Sequence, residues 1–278
     1  MASRRMPEGR YLELDGRGTT FIREWHGPDG APTVLLLHGL TATSKINWYT
    51  SFGLLSRHYS ILALDHRGHG HGLRSRTPFS LEACAEDTAA VLATLGIGKV
   101  IVVGYSMGGP IGQLLWRGHP DHVAGMVLCS TAAHFPHAMA TNFLFPFVPW
   151  PIIPRGAPAW VNGALDRIGM EAMAEMLRND PIAIAQAVKA LGRFDSRAWL
   201  GKIDVPASVL ITSHDRLVPP RLQWDLVRHL PACEVTELDG DHLVFVRKAA
   251  QFRRAVLSAC RSVERRSLAQ DKTSLMGA

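Results

Sequence analysis

Residues 99–109 read KVIVVGYSMGG, and this stretch decides the fold. KVIVV is an unbroken apolar run, as in a parallel strand covered on both faces. It leads into Gly104-Tyr105-Ser106-Met107-Gly108. A helical pattern follows at 107–119, with Ile111, Leu114 and Leu115 on one face and Pro120 as its stop. A serine set between strand and helix in a G-x-S-x-G stretch predicts a sharp turn that holds the hydroxyl clear of its own backbone. The flanking glycines are required because such a turn crowds any Cβ. Gly109 and Gly112 would let the helix approach the sheet closely. Ser106 is the candidate nucleophile.

Outward from this stretch the apolar runs alternate with helical patterns. TVLLL (33–37), SILAL (60–64), VAGMVLC (123–129), ASVLIT (207–212) and 234–238 read as strands. Segments 11–14 and 19–25, joined by DGRG, read as an opening hairpin. Helices are expected at 80–95, where Ser80 is the N-cap and Glu82 and Glu86 sit near the positive end, and at 219–230 and 247–263. The alternation predicts an α/β fold with a mostly parallel eight-stranded sheet and helices on both faces.

The rhythm breaks between 131 and 200, which is helical, Met-rich and Pro-rich. This segment is expected to be a helical cap inserted into a core formed by 1–130 and 201–262. Its first half is very apolar: Met139, Phe143, Phe145, Phe147, Trp150, Ile152, Ile153 and Trp160. Those residues either pack the cap onto the core or line an apolar pocket; Trp150, Phe143 and Phe147 are the candidates for contact with substrate. The polar tail, 263–278, is expected to be disordered.

A serine nucleophile needs a base, an acid to orient the base, and donors for the oxyanion. Among 13 histidines, His242 lies in DGDH, after the last strand and before the last helix. Loops at the carboxyl edge of a parallel sheet are where such folds gather their ligand sites. His66, His69 and His71 are rivals at that edge, but DHRGHGHG (65–72) reads better as a Gly-rich turn with Arg67 bonding structurally. Asp215 follows ASVLIT and gives the order Ser, Asp, His. Asp239 and Asp241 are too close to His242 along the chain and are read as turn residues; Asp204 is read as a cap or turn. His38-Gly39-Leu40 closes the third strand. The N–H groups of Leu40 and Met107 are the expected oxyanion donors, Gly39 permits the bend, and His38 is read as a structural histidine.

Composition narrows the alternatives. The chain has 278 residues, 47% hydrophobic and 19% charged, with a formal charge of +6. That is an ordinary globular balance, not a disordered one. Arg247, Lys248, Arg253, Arg254, Arg261, Arg265 and Arg266 cluster near the end and read as the solvated face of a terminal helix, so no nucleic-acid partner is expected. Cys84, Cys129, Cys233 and Cys260 lie far apart without a C-x-x-C pair, which fits reduced thiols and no structural zinc. No apolar stretch follows the charged start, and the apolar run at 143–153 is short and broken by Pro146, Pro149 and Pro151. A cytoplasmic protein without membrane association is expected.

HGL (38–40), DHRGHG (65–70), GYSMGG (104–109) and the pair SHDRLVP (213–219) with GDHLVF (240–245) occur in one order that resembles the α/β-hydrolase superfamily. The resemblance covers 1–130 and 201–262. Residues 104–133 also resemble the enol-lactone hydrolases and bacterial esterases of that superfamily. It implies a serine hydrolase with Ser106, His242 and Asp215 as its triad, no metal or organic cofactor, and a small or medium apolar ester or lactone as substrate. Ser106, where epoxide hydrolases and haloalkane dehalogenases need a carboxylate, separates the chain from those enzymes. The same triad acting on a C–C bond, an amide or in peroxide chemistry, and a receptor-like protein without catalysis, are the other readings. So is a lipid-surface protein using FLFPFVPWPII (143–153). The motifs leave oligomeric state open.

Overall fold

The computed structural model describes residues 6–136 and 172–276, side chains beyond Lys272 excepted. Eight strands form one sheet in the order β1-β2-β4-β3-β5-β6-β7-β8. The opening pair, β1 (Arg10–Leu14) and β2 (Gly18–Trp25), is the hairpin expected from DGRG. Gly16 and Gly18 in that turn have φ of 65° and 104°, conformations glycine adopts without steric cost. β2 meets β4 (Ser60–Asp65) antiparallel. From there β3 (Thr33–Leu37), β5 (Val100–Tyr105), β6 (Val123–Cys129), β7 (Ala207–Thr212) and β8 (Cys233–Leu238) continue in parallel.

The apolar runs are unbroken because both sheet faces are covered. Successive side chains point to opposite faces, so Leu35 and Leu37 join one core while Val34 and Leu36 join the other. α2 (Leu81–Thr94) and α3 (Gly108–Gly118) cover the first face. α1 (Ser44–Leu55) covers the second, together with the terminal helix. α1 was not legible as a helix. It buries Ser44, Asn47 and Ser51 beside Trp48, Phe52 and Leu55, so no clean apolar stripe marks it.

The segment between β6 and β7 leaves and returns at one point. Ser196 N–H donates to Ala133 O at 2.8 Å, and His134 bridges to Asp195. Its second half contains α4 (Pro181–Leu191), capped by Asp180, whose carboxylate accepts from the N–H groups of Ile182 and Ala183. Ile184, Ala187, Val188 and Leu191 of α4 are buried in the same core as α2 and α3. The short α5 (Arg197–Leu200) leads back to β7.

After β7 come α6 (Pro220–His229), β8, the short α7 (Val244–Arg247) and α8 (Ala249–Met276). α8 corrects the expected disorder of the tail. It runs on past Val263 although few apolar residues remain, because polar anchors hold it: Arg266 donates to Ala207 O at 2.7 Å and Ser208 Oγ at 3.0 Å, and pairs with Glu234. All four cysteines are free thiols. Among the described residues, no helix is long and apolar enough to cross a membrane.

Candidate active site

β3 and β5 are neighbours, but β3 is followed by β4 on one side and β5 lies on the other. The strand order therefore reverses between them. A crevice at the carboxyl ends of the strands opens at such a point. Ser106 follows β5 there. Its φ is 52°, the left-handed region that a non-glycine residue rarely occupies. Three contacts hold the turn: Ser106 N–H donates to Cys129 O at 2.9 Å, and Ser106 O accepts from Gly109 N–H at 2.9 Å and Thr131 Oγ1 at 2.7 Å. The glycine requirement is real at Gly104, where a Cβ would collide with the Gly108 carbonyl.

His242 sits in the loop after β8 and reaches Ser106 across the sheet edge. Its Nε2 lies 3.0 Å from Ser106 Oγ, and its Nδ1 lies 2.7 Å from Asp215 Oδ2. Tyr105 steadies the loop by donating to His242 O at 2.6 Å. Asp215 is buried, and both carboxylate oxygens are engaged. Oδ1 accepts from the N–H groups of Leu217 (2.9 Å) and Val218 (2.8 Å); Oδ2 also accepts from Thr212 Oγ1 at 2.9 Å. Gln223 on α6 braces this corner by donating to Thr212 Oγ1 and Val218 O. Hydrogen bonds of this number compensate a carboxylate for leaving water.

Gly39, one residue before Leu40, lies beside the serine: a Cβ added at Gly39 would stand 3.3 Å from Ser106 Cβ. Gly39 is fixed on both sides, its N–H donating to Asn47 Oδ1 at 2.8 Å and its carbonyl accepting from His38 Nδ1 at 2.7 Å. Among the described residues, neither the Leu40 nor the Met107 N–H has a hydrogen-bond acceptor.

His38 is structural, as expected; its Nε2 accepts from His66 N–H at 2.9 Å. Among the described residues, none of the rival histidines hydrogen-bonds the serine. His66 and His69 pack around His38, with ring centroids 4.2 Å and 5.4 Å away, and His71 meets Tyr11 Oη at 3.2 Å. The buried imidazoles of His38, His66 and His69 are pushed toward the neutral form by burial; His69 falls to about 3, while Asp65 opposes the shift at His38. Of the other aspartates, Asp241 behaves as a turn residue, while Asp239 and Asp204 are held by side chains elsewhere. Asp239 pairs with Lys248 at 2.5 Å, Asp241 accepts from Leu243 N–H and pairs with Arg247, and Asp204 accepts from Trp116 Nε1 at 3.0 Å. Arg67 forms a buried bidentate pair with Asp87.

Asn47, Thr131, Thr212 and Gln223 were not legible as site residues. Asn47 and Thr131 each act through a single contact from a distant segment, Thr212 through Asp215 three residues on, and Gln223 through several contacts from α6, and no local pattern signals them. The candidates Phe143, Phe147 and Trp150 lie outside the described residues.

A family profile described as alpha/beta hydrolase fold matches residues 32–164. Over 247 residues the chain is 28% identical to the pimeloyl-[acyl-carrier protein] methyl ester esterase of Neisseria meningitidis, covering 80% of this chain and 88% of that one. It is also 28% identical over 244 residues to the magnesium-chelatase 30 kDa subunit of Rhodobacter capsulatus, covering 78% and 83%. Among solved structures, the enol-lactonase of Burkholderia xenovorans LB400 superposes with a TM-score of 0.74 at 25% identity, covering 90% of this chain and 98% of that one.

Proposed function

From a chain that belongs to the α/β-hydrolase superfamily, and from the hydrogen-bonded line Asp215–His242–Ser106, we propose a serine hydrolase that cleaves a carboxylic ester or lactone of a small or medium apolar substrate. The observation that carries the reading is the pair of distances at His242: 3.0 Å to the Ser106 hydroxyl and 2.7 Å to the Asp215 carboxylate. An imidazole bridged in this way is set in one tautomer. Nδ1–H faces the carboxylate, so Nε2 is free to accept the serine proton.

The reaction then runs in two acyl transfers. His242 Nε2 takes the Ser106 proton as Oγ bonds to the carbonyl carbon. The Leu40 and Met107 N–H groups receive the oxyanion. The imidazolium gives its proton to the leaving oxygen as the ester bond breaks. A water then gives a proton to His242 and adds to the acyl carbon. The acyl–Oγ bond breaks, Ser106 regains its proton, and the acid leaves. Asp215 stabilises the imidazolium in both halves. The relatives support the bond type at a coarser level: a methyl ester esterase and an enol-lactonase both act on an acyl–oxygen bond.

The test is hydrolysis of p-nitrophenyl esters from acetate to palmitate, with wild type and Ser106→Ala side by side. Turnover that falls on the order of 10⁶-fold in the variant is expected, and the best chain length sizes the pocket. Turnover retained by Ser106→Ala would rule the assignment out.

A further inference from the structure

Asn179 lies just before α4, outside the triad and outside every motif named above. Its side-chain amide joins two loops at the sheet edge. Nδ2 donates to Thr41 O at 2.8 Å, and Oδ1 accepts from Gly70 N–H at 2.8 Å. The orientation is forced, because a carbonyl can only accept and a backbone N–H can only donate. Thr41 follows Leu40 and has a φ of 63°. A β-branched residue is a genuine outlier there and stays only where its surroundings hold it. On the other side of Leu40, Gly39 is already fixed by Asn47 and His38. The Leu40 peptide is thus pinned at both ends, and the Thr41 end is pinned by the inserted segment.

We infer that Asn179 is a positioning residue that holds the Leu40 N–H in place for the oxyanion, so that the insertion is part of the catalytic apparatus and not only a cover. This rests on the serine-hydrolase reading above. Neighbouring contacts seat the amide: Asp180 N–H donates to Gly68 O at 2.8 Å, and Arg74 binds the carbonyls of Gly70 and Arg178 at 2.6 Å each. A group that sets a donor should act on the rate constant for acylation and leave ground-state binding nearly alone.

Asn179→Asp is the informative change. It keeps the acceptor for Gly70 and replaces the donor to Thr41 with a carboxylate oxygen that repels the carbonyl. Asn179→Ala removes both contacts. Gln186→Ala is the comparison: Gln186 also ties α4 to the core, accepting from Phe79 N–H at 2.7 Å, but does not touch the Thr41 loop. The readouts are kcat and KM on p-nitrophenyl butyrate, and the rate constant for labelling by a fluorophosphonate. The rate constant reports folded molecules only, while the labelled fraction reports how much of the sample is folded. Both Asn179 variants should lower kcat and the labelling rate constant together, by about 10- to 100-fold, less than outright loss of a donor, with KM within about twofold and Gln186→Ala near wild type in both rates. Unchanged rate constants in Asn179→Asp, or an equal loss in Gln186→Ala, would overturn the inference and leave the triad reading standing. Turnover that survives Ser106→Ala would instead remove the reading on which it rests.

Discussion

Asp215 and Asp239 separate two accounts of the acid at the scale of single residues. Asp215 is buried and touches His242, whereas Asp239 is exposed and pairs with Lys248 and His214. Asp215→Asn would keep the shape but favour the wrong tautomer of the imidazole, and a loss of about 10⁴ in kcat is expected. Asp239→Asn should change kcat by less than about threefold, since an exposed pair contributes roughly 0–1 kcal/mol. Steady-state kinetics on the two variants decides between them; the opposite ranking would move the acid to Asp239. Ser106, Asp215 and His242, which the structure brings into contact, were legible because each sits at a strand end in a short, chemically marked stretch: GYSMG, SHDR, GDH. The braces were not. Thr131 and Gln223 reach the site only through tertiary contact, and their neighbours in sequence carry no sign of it.

At the scale of elements, the turn between β5 and α3 is tightly constrained. Gly104 faces the Gly108 carbonyl, which is backbone and cannot rotate away. Gly104→Ala should therefore destabilise by about 1–3 kcal/mol and misplace Ser106, lowering both Tm and activity in thermal melts and ester assays. Wild-type values for both would show that the turn is slacker than described. The terminal helix carries a second prediction. Arg266 gives Ala207 O its side-chain donor and also binds Ser208 Oγ. Removing 265–278 should cost about 1–3 kcal/mol, the penalty for losing hydrogen bonds to partly buried groups, read from the urea midpoint. A truncation without effect would restore the disordered tail suggested by its composition. That composition misled because order here comes from arginine anchoring and not from apolar burial. α1 was missed for a related reason: its buried face is part polar, so periodicity alone was silent.

At the scale of the whole molecule, the mostly parallel eight-stranded sheet and both covered faces were legible from unbroken apolar runs alternating with helical patterns. The depth of His66 and His69 was not, since DHRGHGHG reads only as a Gly-rich turn. His38, His66 and His69 form a buried group under the active-site edge, facing Asp65 on β4 and Arg74 in the following loop. Their folded pKa values lie below the unfolded value near 6.5. Above that pH both states are neutral and the histidines contribute nothing. Below it the unfolded chain binds protons that the folded chain refuses, so stability falls as pH drops from about 6.5 toward about 3, where His69 itself titrates. For His69 the loss is about 1 kcal/mol per pH unit in that window. Urea midpoints between pH 7.5 and 5 should fall steeply for wild type and less steeply for His69→Asn. Equal slopes would mean that His69 is not held neutral.

The central claim is that Ser106 is a nucleophile activated by His242. The most direct test is fluorophosphonate labelling of the purified protein, with intact mass and peptide mapping, in wild type, Ser106→Ala and His242→Ala. One adduct on Ser106 in wild type, absent from Ser106→Ala and strongly slowed in His242→Ala, is the predicted result. No adduct in wild type, an adduct elsewhere, or equal labelling in His242→Ala would contradict it.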